Sequence, residues 1–169
     1  MKKEAKLRNW LKANKGDWHL SWIEPSYGST VGFPDVIAIT MSGKVIALEL
    51  KWVAWKATNQ PIMNLRPEQK IWHRMAATRG VPSGFLVAVE LPRSILKDNA
   101  LSKRVAKDMS SGNRWWERHI TNVNCEWWVR RGWIPAVFSS KEMICAENGV
   151  PQMKAVYNSS ELASCVSKW

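Results

Sequence analysis

The sequence is short of three things, and each shortage excludes a class of protein. No apolar run approaches the ~18 residues of a membrane-spanning helix. The chain opens Met1-Lys2-Lys3-Glu4, which is not the apolar start of an export signal. A cytoplasmic protein without a membrane partner is therefore expected. Cysteine is scarce: Cys125, Cys145 and Cys165 are three in number, twenty residues apart and without a CxxC pair. That excludes a disulfide framework and a structural zinc site, and leaves three reduced thiols. Acid is the third shortage. Asp and Glu number 14 against 25 Lys and Arg, for a net charge of +11. So basic a chain points to a polyanion as partner, and to nucleic acid once a membrane is set aside. No nucleotide cofactor is expected, and nothing resembles a helix-turn-helix or a zinc finger.

Tryptophan, in contrast, occurs twelve times in 169 residues. Some of these rings must be core. The adjacent pairs Trp115-Trp116 and Trp127-Trp128 send neighbouring rings to different faces, so some should be partly exposed, to stack on unpaired bases or to build a dimer interface.

The few acids include a patterned group. Gly32-Phe33-Pro34-Asp35-Val36-Ile37-Ala38-Ile39 and Lys44-Val45-Ile46-Ala47-Leu48-Glu49-Leu50-Lys51 are rich in aliphatic and β-branched residues and are separated by a Met41-Ser42-Gly43 break. They are predicted to form two antiparallel strands. Glu49 and Lys51, two apart, share one face, while Ile46, Leu48 and Leu50 share the other. A two-residue Ser42-Gly43 turn sends Asp35 to the core face. A three-residue turn with Gly43 left-handed pairs Thr40 with Lys44 and Asp35 with Glu49, and is the arrangement expected here. Two carboxylates side by side suit a hard cation such as Mg²⁺ or Mn²⁺, and a neighbouring ammonium can orient water or offset charge on a phosphate. The plainer alternative is a turn-capping Asp35 beside a solvated Glu49–Lys51 pair.

Pro34-Asp35 followed 14 residues later by Glu49-Leu50-Lys51 resembles the PD-(D/E)XK nuclease motif, with Glu at its variable position. Gly-Phe-Pro-Asp, the Gly-Lys turn, Glu-Leu-Lys and then Leu65-Arg66-Pro67-Glu68-Gln69 at the start of a helix resemble the VRR-nuclease subgroup, over roughly residues 1–90. The resemblance implies an α/β, restriction-endonuclease-like core in the order α-β-β-β-α-β, a mixed sheet flanked by helices. It also implies a metal-dependent endonuclease, with Holliday-junction resolvases and branch or flap nucleases among its relatives. Asp35 and Glu49 would be metal ligands, with a backbone carbonyl of the second strand, around Ala47-Leu48 or at Leu50, completing the shell. Lys51 would orient water or stabilise charge, and Gln69 would face the pocket. A further acid is usual, here Glu4 on the first helix or Glu24 in the loop before Pro34. Glu4 serves equally as an acid at a helix N-terminus. Junction cutting by two symmetric sites would require a homodimer. A sequence-specific restriction-type enzyme and a noncatalytic nucleic-acid-binding protein are the alternatives.

Along the chain, residues 3–14 read as an amphipathic helix and Trp18–Ile23 as a strand, with His19 a partly buried polar residue. Trp52–Pro61 reads as a loop touching DNA, with Lys56 as a contact. Pro67 opens a helix closing near Gly80, with Ile71, Trp72, Met75 and Ala76 as its apolar face, while Gln69, His73 and Ala76 share another stripe. Arg66 and Lys70 are phosphate-contact candidates. Ser83–Leu91 is a wholly apolar, central strand. Residues 1–92 are read as the nuclease core and 93–169 as a basic, Trp-rich extension packed on it for DNA binding or dimerisation. In that extension 98–109 is a basic helix with Lys103, Arg104 and Lys107 outward. Cys125–Phe138 reads as two strands about an Arg131-Gly132 turn, with Arg130 and Arg131 adding phosphate affinity, and a short helix begins near Ser159.

Overall fold

The computed structural model describes residues 3–23, 32–55, 61–90, 107, 111–112, 116–146 and 150–169. Among these, helix α1 (Lys3–Asn14) is followed by strands β1 (His19–Trp22), β2 (Val36–Ile39), β3 (Val45–Trp55) and β4 (Pro61–Ile62). Helix α2 (Pro67–Thr78) leads to β5 (Ser83–Glu90) and β6 (Ile120–Thr121), then α3 (Cys125–Arg131) and β7 (Trp133–Ser139). Helix α4 (Ser140–Cys145), strand β8 (Met153–Ala155) and helix α5 (Ser159–Val166) complete the chain.

The strands form one mixed sheet in the order β1-β2-β3-β5-β7-β8-β6, with β4 alongside β3. β3 and β5 are parallel, as a crossover through α2 demands, and β2 and β7 run antiparallel to their neighbours in the middle of the sheet. The expected α-β-β-β-α-β core is therefore present as α1-β1-β2-β3-α2-β5, with β4 added. Residues beyond 92 continue the same sheet, since β7 pairs with β5 along Gly84–Glu90.

Alternation along β5 explains why its middle, Phe85–Val89, is apolar throughout. Leu86 and Ala88 join a cluster with Leu7, Trp10 and Leu11 of α1 and Leu162 and Val166 of α5. Phe85, Val87 and Val89 join the opposite cluster, with Trp55, Trp128, Ile134 and Phe138. A strand covered on both faces has no solvated side to mark with polar residues.

Four local expectations are corrected, the partial burial of His19 among them. Residues Cys125–Arg131 are a helix, not a strand, because Asn124 accepts from the backbone N–H of Trp127 at 3.0 Å and Gly132 caps the far end in the left-handed region at φ 74°. β3 does not end at Lys51: Trp52–Ala54 remain paired to β5 and Trp55 is buried against Trp128, so this stretch is sheet and not a DNA-touching loop. Helix α2 buries Gln69, His73 and Ala76 and leaves Ile71 and Met75 57% and 44% exposed. Its polar stripe faces inward because Glu49 of β3 and Ser140 at the start of α4 lie below it as partners. His19 is exposed, at the outer strand β1. The proposed basic helix lies outside the described residues save Lys107.

Six of the described tryptophans, Trp10, Trp18, Trp55, Trp116, Trp128 and Trp133, are buried. Trp127 is half-buried beside buried Trp128, so that pair does divide between two environments. All three cysteines are free thiols. No described helix is long and apolar enough to cross a membrane.

Candidate active site

The site begins with the turn. Thr40 N–H donates to the Lys44 carbonyl at 3.0 Å and Gly43 sits at φ 79°, the three-residue form. The ladder Val36↔Leu48, Ile37↔Ala47, Ala38↔Ile46, Ile39↔Val45 follows, which sets Asp35 across from Glu49 just past the last β2 pair. β2 stops there while β3 runs on to Trp55. The result is an interruption in the sheet, and the Leu50 N–H that would look for a strand partner is taken by Asp35 Oδ2 at 2.8 Å. A residue's N–H and C=O point to the same side of its strand, so the Leu50 carbonyl faces this gap as well.

The loop entering β2 is held by close packing. Gly32, at φ 88°, lies against the first turn of α2 so tightly that a Cβ there would meet Glu68 backbone at 2.7 Å. Phe33 packs on Trp72, ring centroids 5.5 Å apart. These contacts fix Pro34-Asp35 relative to α2.

Glu49 is 1% exposed. Its Oε1 accepts from Gln69 Nε2 and lies 2.9 Å from Lys51 Nζ, while Oε2 is buried without a partner among the described residues. Gln69 is oriented from its other end, since its Oε1 accepts from Arg66 N–H at 3.2 Å. Burial first, then repulsion from Asp35, raises Glu49 from an ordinary 4.5 to about 7, against the lowering pull of Lys51 and Arg66. The Lys51 side chain is 19% exposed, so it spans buried carboxylate and open edge.

Asp35, Glu49, Leu50, Lys51 and Gln69 thus come together. Glu4 stands exposed in the first turn of α1, whose buried residues pack on the sheet face opposite Glu49. Glu24, Lys56, Lys103 and Arg104 lie outside the described residues. Arg66 and Lys70, exposed at the start of α2, flank the cluster, whereas Lys107, Arg130 and Arg131 are exposed in the later part of the chain. Arg131 lies over the Trp127 ring at 5.0 Å. Sequence reasoning did not find Ser140, which hydrogen-bonds His73 beneath α2 at 2.7 Å. No local signal marks it, because the contact joins residues 67 apart in the chain. A cleft of about 480 Å³ beside Lys15, Lys44 and α5, at the turn end of the hairpin, contains none of these residues.

Among the described residues no group of three or more His, Cys, Asp or Glu is set to hold a metal. Two carboxylates and a carbonyl still fit Mg²⁺, which is commonly held by one or two carboxylates with water completing its shell. The unpartnered Glu49 Oε2 is an oxygen of the right kind in want of a positive partner.

No family model matches the chain, and no curated protein matches it. Among solved structures it is similar to Hjc of Archaeoglobus fulgidus, a Holliday junction resolvase from an archaeal hyperthermophile, at 14% identity and a TM-score of 0.41, over 96% of this chain and 94% of that one.

Proposed function

We propose that this protein is a metal-dependent DNA endonuclease, selective for branched or otherwise structurally marked DNA. Asp35, Glu49 and the Leu50 carbonyl would hold Mg²⁺ or Mn²⁺. The observation that carries the proposal is Glu49, buried to 1% exposure with one oxygen shared by Gln69 and Lys51 and the other without a partner among the described residues. An unsatisfied buried polar atom costs about 1–3 kcal/mol, more when charged, and a cation held between Asp35 and Glu49 would relieve that cost. The ion, when bound, supplies positive charge that polarises a water and the scissile phosphate.

The residues divide the remaining work. Asp35, tethered by the Leu50 N–H, holds its carboxylate at the gap. Gln69 clamps Glu49 Oε1 and so aims Oε2. Lys51 can turn from Glu49 to a phosphate oxygen as charge builds there. The water oxygen would form the new bond to phosphorus as the opposite ester bond breaks, and the proton the water gives up would pass through solvent to the departing alkoxide. Arg66 and Lys70 beside the site, with Lys107, Arg130 and Arg131, attract the DNA backbone, as the net charge of +11 favours. Resolution of a four-way junction would use two copies of the chain.

Linear, flap and four-way DNA, compared in Mg²⁺, Mn²⁺ and EDTA, test this directly. Asp35→Asn keeps an acceptor for Leu50, and Glu49→Gln keeps a partner for Gln69. Each, and Lys51→Met, is expected to bind DNA within about threefold of the parent and to lose at least about 100-fold in cleavage. Undiminished metal-dependent cutting by Asp35→Asn and Glu49→Gln, or no cutting by the parent on any substrate, would remove the proposal; in the latter case nucleic-acid binding alone would stand.

A further inference from the structure

Below the acidic cluster lies a second polar assembly, more deeply buried than the first. His73 is 0% exposed, Ser140 1% and Ser83 3%, and they come from α2, the first turn of α4 and the start of β5. His73 Nδ1 is 2.7 Å from Ser140 Oγ, Ser140 Oγ is 2.8 Å from Ser83 Oγ, and the Ser83 hydroxyl donates to the Val81 carbonyl at 3.2 Å.

A hydroxyl has one proton to give. That of Ser83 goes to Val81, so Ser83 accepts from Ser140. The Ser140 proton is then committed, so its oxygen accepts from His73. The ring must therefore carry its proton on Nδ1 and present a bare lone pair at Nε2, an atom that is buried and has no partner among the described residues. Burial, aided by the nearby charge of Lys51, pushes His73 down to about 4, which keeps the ring neutral.

The same helix face reaches the acidic cluster. Gln69 precedes His73 by four residues, one turn of α2. Phe85 is the partner of Glu49 in the β3–β5 ladder, and His73 lies over Phe85 with ring centroids 4.1 Å apart. One stripe of α2 thus touches Glu49 through Gln69 and the residue beside Glu49 through His73. We propose that His73 is a positioning residue: tied through Ser140 and Ser83 to the β5–β7 part of the sheet, it sets the depth and rotation of α2 at which Gln69 clamps Glu49. Ser140, 89 residues beyond Lys51 at the end of the acidic motif, belongs to the same device. The catalytic consequence rests on the nuclease function proposed above; the anchor itself does not.

Two measurements separate the two. In metal-free protein, ¹⁵N spectroscopy of the ring is expected to show His73 protonated at Nδ1 and unprotonated at Nε2 from pH 5.5 to 8. The Gln69 side-chain amide, bound to a carboxylate, is expected to resonate downfield. His73→Phe keeps the ring on Phe85 but removes the donor, and Ser140→Ala breaks the chain from its other side. Both should return the Gln69 resonance toward its free position, while His73→Asn, with a donor nitrogen near that of Nδ1, should retain it. In cleavage, His73→Phe and Ser140→Ala are expected to lower kcat about tenfold with KM within about twofold. His73→Asn should recover most of that loss, and neither change should reduce kcat further in a Gln69→Ala background. An Nε2-protonated or charged ring, or a Gln69 resonance indifferent to both variants, overturns the anchor whatever the protein cleaves. If the spectra are as expected but folded Ser140→Ala and His73→Phe cut normally, the positioning role is overturned. Cleavage that survives Asp35→Asn indicts the nuclease function instead.

Discussion

Glu49 holds its proton up to about pH 7, and that shift sets the carboxyl's own part in how the protein responds to pH. The unfolded chain releases the proton near 4.5. Between these values folded Glu49 binds more protons than unfolded Glu49, so its own contribution to stability falls as pH rises through the window, against a rising contribution from buried His73, held down at about 4 from 6.5, and its ionisation penalty is complete above about 7. Glu49→Gln removes the penalty. Without metal, its thermal midpoint should match the parent's at pH 4 and exceed it at pH 8, a difference of about 3 kcal/mol; equal midpoints at pH 8 would contradict the burial described. A cation must displace that proton, so the parent's apparent Mg²⁺ affinity, measured by titration calorimetry, is expected to climb between pH 6 and 8. The side chains at this centre were unequally legible. Asp35, Glu49 and Lys51 follow from strand period and turn length, and Gln69 from the resemblance. The role of His73 depends on a serine from a distant element, which no local pattern announces.

Elements were legible where their signals agreed. α2 carries Pro67 at its start and Gly80 just past its end, and its limits were plain. Its inward face was not, because apolar periodicity selects Ile71 and Met75, while buried hydrogen bonds to Glu49 and Ser140 hold Gln69 and His73 inside. In α3 the β-favouring Trp127-Trp128-Val129 run concealed a helix of seven residues, too short to show a period. Its Asn124 cap and Gly132 stop were the better evidence, the cap alone being worth about 1 kcal/mol. Two glycines of the acidic hairpin provide a controlled comparison. Both have positive φ, but a Cβ at Gly43 meets nothing within 4 Å, whereas at Gly32 it runs into Glu68. Gly43→Ala should therefore cost only backbone strain, about 1 kcal/mol. Gly32→Ala must also push the Pro34-Asp35 corner off α2, and is expected to cost more in denaturant unfolding and to lower cleavage, which Gly43→Ala should spare.

At the scale of the whole molecule, charge and the first six core elements could be read from the sequence because both are local properties. The way residues past 92 attach could not, since β6 and β8 are two and three residues long and pair with partners far away in sequence. β5 has β3 on one side and β7 on the other, the latter along seven residue pairs. A fragment ending at residue 92 would turn that interior strand into an outer one, with a row of bare amides and carbonyls beside apolar side chains on both faces. Such a margin recruits other chains. The fragment is expected to sediment as aggregate during expression and to bind thioflavin, while the intact chain stays in the supernatant. Read in this light, the later residues are the sheet's guard against itself.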